Sequence, residues 1–234
     1  MHTADVSFTI WRDQEDRWGK RYTMPWPRLA RRLIEHQEGA KDGTAFSCAT
    51  FEKTQDHEGA WRMRCNEGLR ERTLVALDIE QSKDTGEVPP DPRDVAAVLK
   101  ARMIASAVYT SFSHTRRLPR YRIVAPLDTP IALPALERGV DRLLSGNFAM
   151  AIMRELAGVV DRSKWGAASI FYLPRHPAGT EEHYVAMIEG EPLPSASLLQ
   201  AAIMGNDRRA MKAAQSAAIK AASIYSDADR ELID

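Results

Sequence analysis

The sequence of 234 residues contains only two cysteines, Cys48 and Cys65, and no Cys-x-x-Cys pair. Two cysteines are too few for a cysteine-based zinc site or a disulfide framework. Such low cysteine use is typical of a reducing compartment, so we expect a cytoplasmic location. Residues 1–10 carry no signal-peptide pattern, and no run approaches the roughly 20 apolar residues that a membrane span needs. We therefore expect no membrane partner.

An excess of either charge is also missing, because Lys and Arg together number 32 and so do Asp and Glu. Zero net charge disfavours a protein that coats nucleic acid by bulk charge, but it is compatible with a local basic groove. The charged and hydrophobic fractions, 27% and 44%, are those of an ordinary globular domain. This length suits one large domain, or one domain with a helical appendage.

Strand and helix patterns are mixed along the chain, which predicts an α+β (mixed α/β) fold. The apolar run 73–80 ends in acids and predicts a strand that is covered on both faces, whereas 12–23 is predicted to be a polar connection. Other strands are predicted at 6–11, 46–51, 106–112, 120–127, 169–173 and 183–188. Helices are predicted from Pro27, from Asp91–Pro92 to about Met103, and over 133–157 with a break near Gly146–Asn147.

The Ala-rich segment 195–223 lacks a strand pattern and predicts helix. The expected organisation is therefore a core over 1–192, followed by a helical tail, or the start of a helical accessory domain, over 193–234.

Asp78 and Glu80 stand two residues apart at the end of the apolar strand. Because side chains alternate along a strand, residues i and i+2 emerge on the same face. Two neighbouring carboxylates repel each other unless a cation lies between them, and Mg²⁺ or Mn²⁺ prefers carboxylate oxygens. The pair predicts a divalent-metal site, with a solvated pair of acids at a strand end as the alternative.

A polar cluster begins at the end of the strand predicted at 106–112. It contains Ser111, Ser113 and His114, and four arginines follow between residues 116 and 122. Arg120 and Arg122 leave the same face of a strand because one residue separates them. Guanidinium groups bind phosphate through paired charge-assisted hydrogen bonds. The cluster predicts a phosphate-binding site, with a solvated loop as the alternative.

Asp161 is a third candidate acid, placed directly after the apolar pair Val159–Val160. Taken alone, an Asp in such a position is most often a helix cap. As a third carboxylate beside Asp78 and Glu80, it completes a set that can hold two metal ions, which activate a primer 3′ hydroxyl and stabilise a leaving pyrophosphate.

The order of these elements resembles the archaeo-eukaryotic primase superfamily, in particular its primase-polymerase branch in plasmid, phage and integrated-element replication. The first motif is the apolar strand that ends in Asp-x-Glu at 78–80, followed by a Ser/Thr-rich strand that ends at His114. An Arg-Tyr-Arg strand at 120–122 comes next. The last motifs are the apolar pair before Asp161 and the Phe-Tyr-Leu-Pro segment at 171–174.

The resemblance spans about residues 6–188 and implies a two-part core in which one sheet is like that of an RNA-recognition motif. It implies a DNA-dependent primase or polymerase that adds nucleotides from NTP or dNTP to a primer on a single-stranded DNA template. It further implies two Mg²⁺ or Mn²⁺ ions and a helicase or helical accessory domain as a partner.

By the family motifs, the metal ligands are Asp78, Glu80 and Asp161, and His114 contacts the phosphates of the nucleotide. The other implied nucleotide-binding residues are Ser111, Ser113, Arg120, Arg122, Lys164 and Arg175. For the phosphate-binding basic residue after the third acid, Arg162, Lys164 and Arg175 are all candidates. The chain departs from the usual Ser-x-His motif, because Phe112 stands two residues before the histidine and serines stand on either side of it. Which hydroxyl serves the family's role is therefore open.

Two other functions remain compatible with these residues. A divalent-metal nuclease uses similar acids, but it usually has a lysine two positions after the second acid, and Lys83 stands one position later. A non-catalytic replication or DNA-binding module with the same fold is the other alternative. Single-stranded template could also stack on one of the five tryptophans, Trp11, Trp18, Trp26, Trp61 and Trp165. A role in the core is favoured for each of them. Trp165 is the first whose template binding should be tested.

Overall fold

The computed structural model describes residues 4–55, 58–65, 67–132, 140–152 and 156–205, together with residues 208 and 212. The described strands are β1 (Asp5–Trp11), β2 (Lys20–Pro25), β3 (Gln37–Glu38), β4 (Ala45–Ser47), β5 (Ala49–Phe51), β6 (Thr54–Gln55), β7 (Trp61–Arg62), β8 (Leu69–Ile79), β9 (Ser106–Thr110), β10 (Tyr121–Ala132), β11 (Phe171–Tyr172), β12 (Arg175–His176) and β13 (Val185–Ile188). The helices are α1 (Trp26–Leu33), α2 (Pro92–Ala101), α3 (Val140–Ile152) and α4 (Leu156–Val159), with a 3₁₀ turn at Arg162–Lys164 and further helix at 195–205.

Two antiparallel sheets organise the molecule, and the predicted mixed α+β class is confirmed. One sheet has the strand order β11-β4-β1-β2, and the other has the order β13-β9-β10-β8-β5. Two small pairs accompany them, the parallel pair β12-β3 and the antiparallel hairpin β6-β7. β4 and β5 are nearly consecutive in the chain but lie in different sheets, so the chain passes from one sheet to the other at Cys48.

The strand β8, which lies between β10 and β5, has apolar side chains on both faces because both faces are covered. Leu74 and Ala76 belong to the core that contains β1 and α1. Val75, Leu77 and Ile79 belong to the second core, which contains residues of the helices α2, α3 and α4. The continuous apolar run in the sequence is therefore explained by burial on both sides, as predicted, within a sheet that is antiparallel.

Several predicted elements differ from the structure. Residues 20–25 form β2 rather than a polar connection, because they pair along β1 at the sheet edge, where polar side chains can face solvent. The single strand predicted at 46–51 is two strands. The helix α3 runs through Gly146–Asn147 without the predicted break. The ring of Trp165 packs closely against α3 at Gly146. A Cβ atom at this position would lie only 3.0 Å from two carbon atoms of that ring.

The start of the predicted tail packs on the core. Three of its apolar residues, Leu193, Leu198 and Ala202, are buried in the core that also contains residues of α2, α3 and α4. Ser195 donates to Asp128 Oδ1 through its backbone N–H at 2.9 Å and through its hydroxyl at 2.6 Å. Helix is confirmed for 195–205, and most of the tail beyond it lies outside the described residues. The boundary at residue 192 stays a prediction. In the described ranges, no helix has the length and apolar character needed to cross a bilayer.

Three histidines pack together where the β12-β3 pair meets β9. The ring centroids of His176 and His183 are 4.7 Å apart, and that of His36 is 5.1 Å from the His183 ring. His36 Nε2 lies 3.3 Å from the Thr110 hydroxyl. Burial, together with the neighbouring rings of His183 and His176, lowers the pKa of His36 to about 4. The cluster therefore depends on an uncharged His36.

We expect the contribution of His36 to stability to fall as the pH drops from about 6.5 to about 4. In this window the unfolded chain binds a proton at His36 that the folded chain excludes, so acid favours unfolding. The melting temperatures of wild type and His36→Asn, measured by calorimetry, should therefore differ less at about pH 5 than at about pH 7. A gap that stays constant or widens toward acid would contradict this.

Gly19 has no room for a side chain. A Cβ atom at this position would lie 2.4 Å from Cε3 of the fully buried Trp11 and 2.7 Å from Cγ2 of Thr9. We expect Gly19→Ala to lower the free energy of unfolding by about 1–3 kcal/mol, the usual cost of overpacking. Chemical denaturation measures the change, and Gly39→Ala, whose Cβ would have an ordinary contact at 3.6 Å, is the control. Equal stability of the two variants would refute the close approach.

Candidate active site

The three candidate acids meet at the end of β8 through backbone contacts. Ile79 pairs with Val160 in an isolated antiparallel bridge, which brings the segment after α4 beside β8. The Asp161 N–H donates to the Asp78 carbonyl at 2.8 Å, and the Glu80 N–H donates to the Val159 carbonyl at 3.0 Å. Asp161 is thus held beside Asp78 and Glu80, which stand 83 and 81 residues earlier in the chain.

Arg122 holds the carboxylate of Asp78. The two residues are direct neighbours across β10 and β8, and their side chains are only 11% and 16% exposed. Arg122 Nη2 donates to Asp78 Oδ2 at 3.4 Å, Nε lies 3.3 Å from Oδ1, and Nη1 donates to the Tyr172 carbonyl at 2.9 Å. Burial alone would lower the pKa of Arg122, but the neighbouring Asp78 carboxylate raises that pKa above its ordinary value. The guanidinium is therefore charged and engaged within the protein.

Glu80 and Asp161 have looser partners. Glu80 Oε1 lies 3.4 Å from Lys83 Nζ, and Oε2 lies 3.7 Å from Arg120 Nη1. Asp161 Oδ1 accepts from the Ser163 N–H at 2.9 Å and so caps the 3₁₀ turn at Arg162–Lys164. The capping role that the sequence left open for Asp161 is present, and this residue also lines the cleft described next.

A cleft of about 280 Å³ opens at these acids. It is lined by Lys41, Asp78, Glu80, Lys83, Ser111, Phe112, Ser113, Arg120, Arg122, Asp161, Lys164, Ile170, Tyr172, Leu173 and Arg175. Six of these residues are basic and three are acidic, in a chain whose net charge is zero. A second depression shares Glu80, Lys83 and Asp161 with the cleft and extends it past the end of α4.

Of the ten site residues predicted from the sequence, all of which the structure describes, nine line this cleft. The exception is His114. Its backbone N–H donates to the Ser111 carbonyl at 3.0 Å, and its Nδ1 accepts from the Arg120 N–H at 3.1 Å. Partial burial lowers the pKa of His114, which agrees with a neutral ring that accepts at Nδ1. His114 thus closes the loop that presents Ser111 and Arg120, and its contact with nucleotide stays a prediction.

Sequence reasoning did not place Lys41, Lys83 or Tyr172 in the site. Lys41 comes from a loop far upstream of the acids, and no local pattern identifies it. This loop reaches the cleft through Arg175, whose Nη1 donates to the Asp42 carbonyl at 3.2 Å. Gly43 permits the contact, because its φ is +151° and a Cβ atom there would lie 2.9 Å from the Arg175 guanidinium.

The carboxylates suit a hard divalent cation by their chemistry, since Mg²⁺ and Mn²⁺ prefer oxygen donors. Within the described ranges, however, no group of three or more His, Cys, Asp or Glu side chains is arranged to hold a metal ion. Asp78 faces Arg122, and Glu80 faces Arg120 and Lys83. The partners of Glu80 are 39% and 81% exposed, so they can turn away without loss of packing. The donor set therefore fits such ions after a rearrangement of side chains.

The five tryptophans divide into two groups. Trp11 and Trp26 are buried, and the partly buried Trp165 packs on the core. Trp18 and Trp61 are 51% and 53% exposed. The expected core role is therefore found for the first three and is wrong for Trp18 and Trp61, while stacking of template on Trp165 stays a prediction.

Comparison with known proteins gives one structural similarity. The chain is similar to the AEP domain of the primase-polymerase (PrimPol) of cyanophage S-2L, with 13% sequence identity and a TM-score of 0.41. The superposition covers 85% of this chain and 88% of the phage domain. No family model and no curated protein matches the chain. A similarity this low does not assign a function, which has to be inferred from the cleft.

Proposed function

We propose that the chain is a DNA-dependent nucleotidyltransferase, a primase or polymerase that adds nucleotides from NTP or dNTP to a primer 3′ end on single-stranded DNA. The supporting observation is the composition of one cleft, in which three carboxylates from two segments face six basic side chains. Carboxylates can hold divalent cations, and basic side chains can hold a triphosphate. This is the combination that phosphoryl transfer to a hydroxyl requires.

The proposed reaction forms one bond and breaks one. The primer 3′ oxygen attacks the α-phosphorus, the bond from that phosphorus to the bridging oxygen breaks, and pyrophosphate leaves with the electron pair. The proton of the 3′ hydroxyl passes to solvent. Two Mg²⁺ or Mn²⁺ ions, held by Asp78, Glu80 and Asp161, would supply charge neutralisation for this chemistry. The protein's own groups position the substrates, which is the larger share of the task in phosphoryl transfer.

The basic residues that line the cleft have distinct roles. Lys41, Lys164 and Arg175 line the cleft and can bind the polyanionic triphosphate, as can Arg120 once it leaves Glu80. Arg122 is different, because its guanidinium already contacts Asp78 and the Tyr172 carbonyl. We therefore propose that Arg122 orients the Asp78 carboxylate and does not contact phosphate directly. Ser111 and Ser113 supply hydroxyls in the same cleft.

A divalent-metal nuclease is the second candidate. The observation that favours it is the contact of Lys83 Nζ with Glu80 Oε1 at 3.4 Å, which puts a lysine beside the acids despite its position in the sequence. The two functions differ in their products, since a nuclease shortens DNA without added nucleotides. A module that binds DNA without catalysis would give neither product.

We expect Asp78→Asn to reduce nucleotide incorporation on a primed single-stranded template by about 100-fold or more, because it removes a charge on which transition-state stabilisation depends. Gel-based primer extension and de novo synthesis with Mg²⁺ or Mn²⁺ measure the effect. Asp94→Asn, an exposed acid in the first turn of α2, is the matched control and should retain activity. Incorporation that survives Asp78→Asn would refute the site, and degradation of the template without nucleotides would favour the nuclease.

Arg122→Lys should lower kcat about tenfold with little change in the KM for nucleotide. The variant keeps the positive charge but loses the planar fork that holds both Asp78 oxygens, so the carboxylate is less well oriented. Steady-state kinetics at saturating metal separate the two parameters. A rise in KM at constant kcat would show instead that Arg122 binds the nucleotide directly.

A further inference from the structure

Trp18 and Trp61 form an exposed aromatic pair with one cation between them. Their side chains are among the most exposed large hydrophobic groups of the described chain, at 51% and 53%. Lys53 Nζ lies 5.0 Å from the Trp18 ring centroid and 5.2 Å from that of Trp61. We call these three residues the Trp18–Trp61 platform. An ammonium group above two rings stabilises their orientation, although both rings remain open to solvent.

The platform is held by the backbone on both sides. Asp16 Oδ1 accepts from the Trp18 N–H at 2.9 Å, and its other oxygen accepts from the Arg12 N–H at 2.9 Å, which folds the loop that carries Trp18. The Met63 N–H donates to the Arg17 carbonyl at 3.1 Å and ties this loop to the β6-β7 hairpin that carries Trp61. The rings are thus presented by fixed backbone.

The Lys53 ammonium group between the two rings favours an anionic ligand with flat apolar groups. The two segments that carry the rings hold acids as well as basic residues, and one of these acids, Glu58, lies 3.8 Å from Arg62. Single-stranded nucleic acid has unpaired bases that stack on aromatic rings and phosphates that pair with basic side chains. A duplex hides its base faces, and an apolar protein partner gains little from the Lys53 cation.

The platform is connected to the cleft. Arg64 Nη2 donates to the Gln14 carbonyl at 2.6 Å, and the Tyr172 hydroxyl donates to Gln14 Oε1 at 3.2 Å. Tyr172 lines the cleft. The loop that carries Trp18 therefore runs from the platform to the wall of the candidate active site, with Arg64 beside this path. A nucleic acid strand stacked on the platform can follow the loop into the cleft.

We propose that Trp18, Trp61 and Lys53 bind single-stranded nucleic acid by base stacking and guide it toward the cleft. The proposal deepens the proposed function, since it assigns a binding surface for the template. It can be tested without catalysis, because binding is measured without nucleotides and without divalent metal.

We expect Trp18→Ala and Trp61→Ala each to weaken the binding of labelled oligothymidylate roughly tenfold, the usual loss for one stacked base. Lys53→Met should reduce the slope of log affinity against log salt by about 0.7, because one phosphate contact is lost. Fluorescence anisotropy at several salt concentrations measures both effects. Met150→Ala, which truncates another exposed hydrophobic side chain, is the control and should bind as wild type does.

The outcomes separate this proposal from the proposed function. Affinity for a duplex of equal length should be unchanged in the tryptophan variants, because a duplex hides its base faces. If these variants lose single-strand binding but wild type incorporates no nucleotide, the platform stands and the polymerase function falls. If the Trp18→Ala/Trp61→Ala double variant, shown to be folded by its melting temperature, binds within about twofold of wild type, the platform is refuted.

Discussion

The ion pair between Asp78 and Arg122 is the interaction on which the cleft depends. Its members lie on neighbouring strands of one sheet, and Arg122 also donates to the carbonyl of Tyr172, which belongs to the other sheet. The same carbonyl accepts from the Tyr109 hydroxyl at 3.2 Å. Two charges at this depth have lost most of their water, so removal of one partner would cost about 3–5 kcal/mol. The pair thus links the sheets and holds the carboxylate at their junction.

The rest of the cleft is built outward from that junction. Glu80 follows Asp78 on the same face, and Asp161 is brought beside them by a single bridge between Ile79 and Val160. The basic residues come from several segments and are held separately. The Arg175 guanidinium donates to the Asp42 carbonyl, and the Arg120 backbone N–H donates to His114. Three acids at one end of the cleft and basic residues from several segments are the arrangement on which the proposed function rests.

Sequence patterns predicted the elements that depend on residues close together in the chain. The strand predicted over 73–80 follows from its apolar run, and it lies within β8 except for Glu80. The cap at Asp91 follows from an acid before proline, where the side chain accepts from the Arg93 N–H. The co-location of Asp78 and Asp161 came from a family resemblance, because spacing in the chain does not encode a bridge between distant segments. β2 was missed because an edge strand with a polar face has weak periodicity.

Other features could not be read from the sequence because they depend on packing. Trp18 is exposed whereas Trp11, seven positions earlier, is buried, although the sequence analysis favoured a core role for both. The position of Lys41 in the cleft depends on Gly43 and Arg175, which are brought together by the parallel pairing of β12 and β3. Likewise, His114 contacts the backbone of Arg120 because of a turn whose shape the motif does not specify.

The most direct measurement of the central claim is the product balance of the purified protein on a primed single-stranded template with labelled NTP or dNTP. A nucleotidyltransferase releases one pyrophosphate for each nucleotide that it incorporates, and only when template is present. The proposed function predicts this ratio of one pyrophosphate to one incorporated nucleotide. Release of nucleoside monophosphates from the template, or binding of nucleotide without any pyrophosphate, would contradict it.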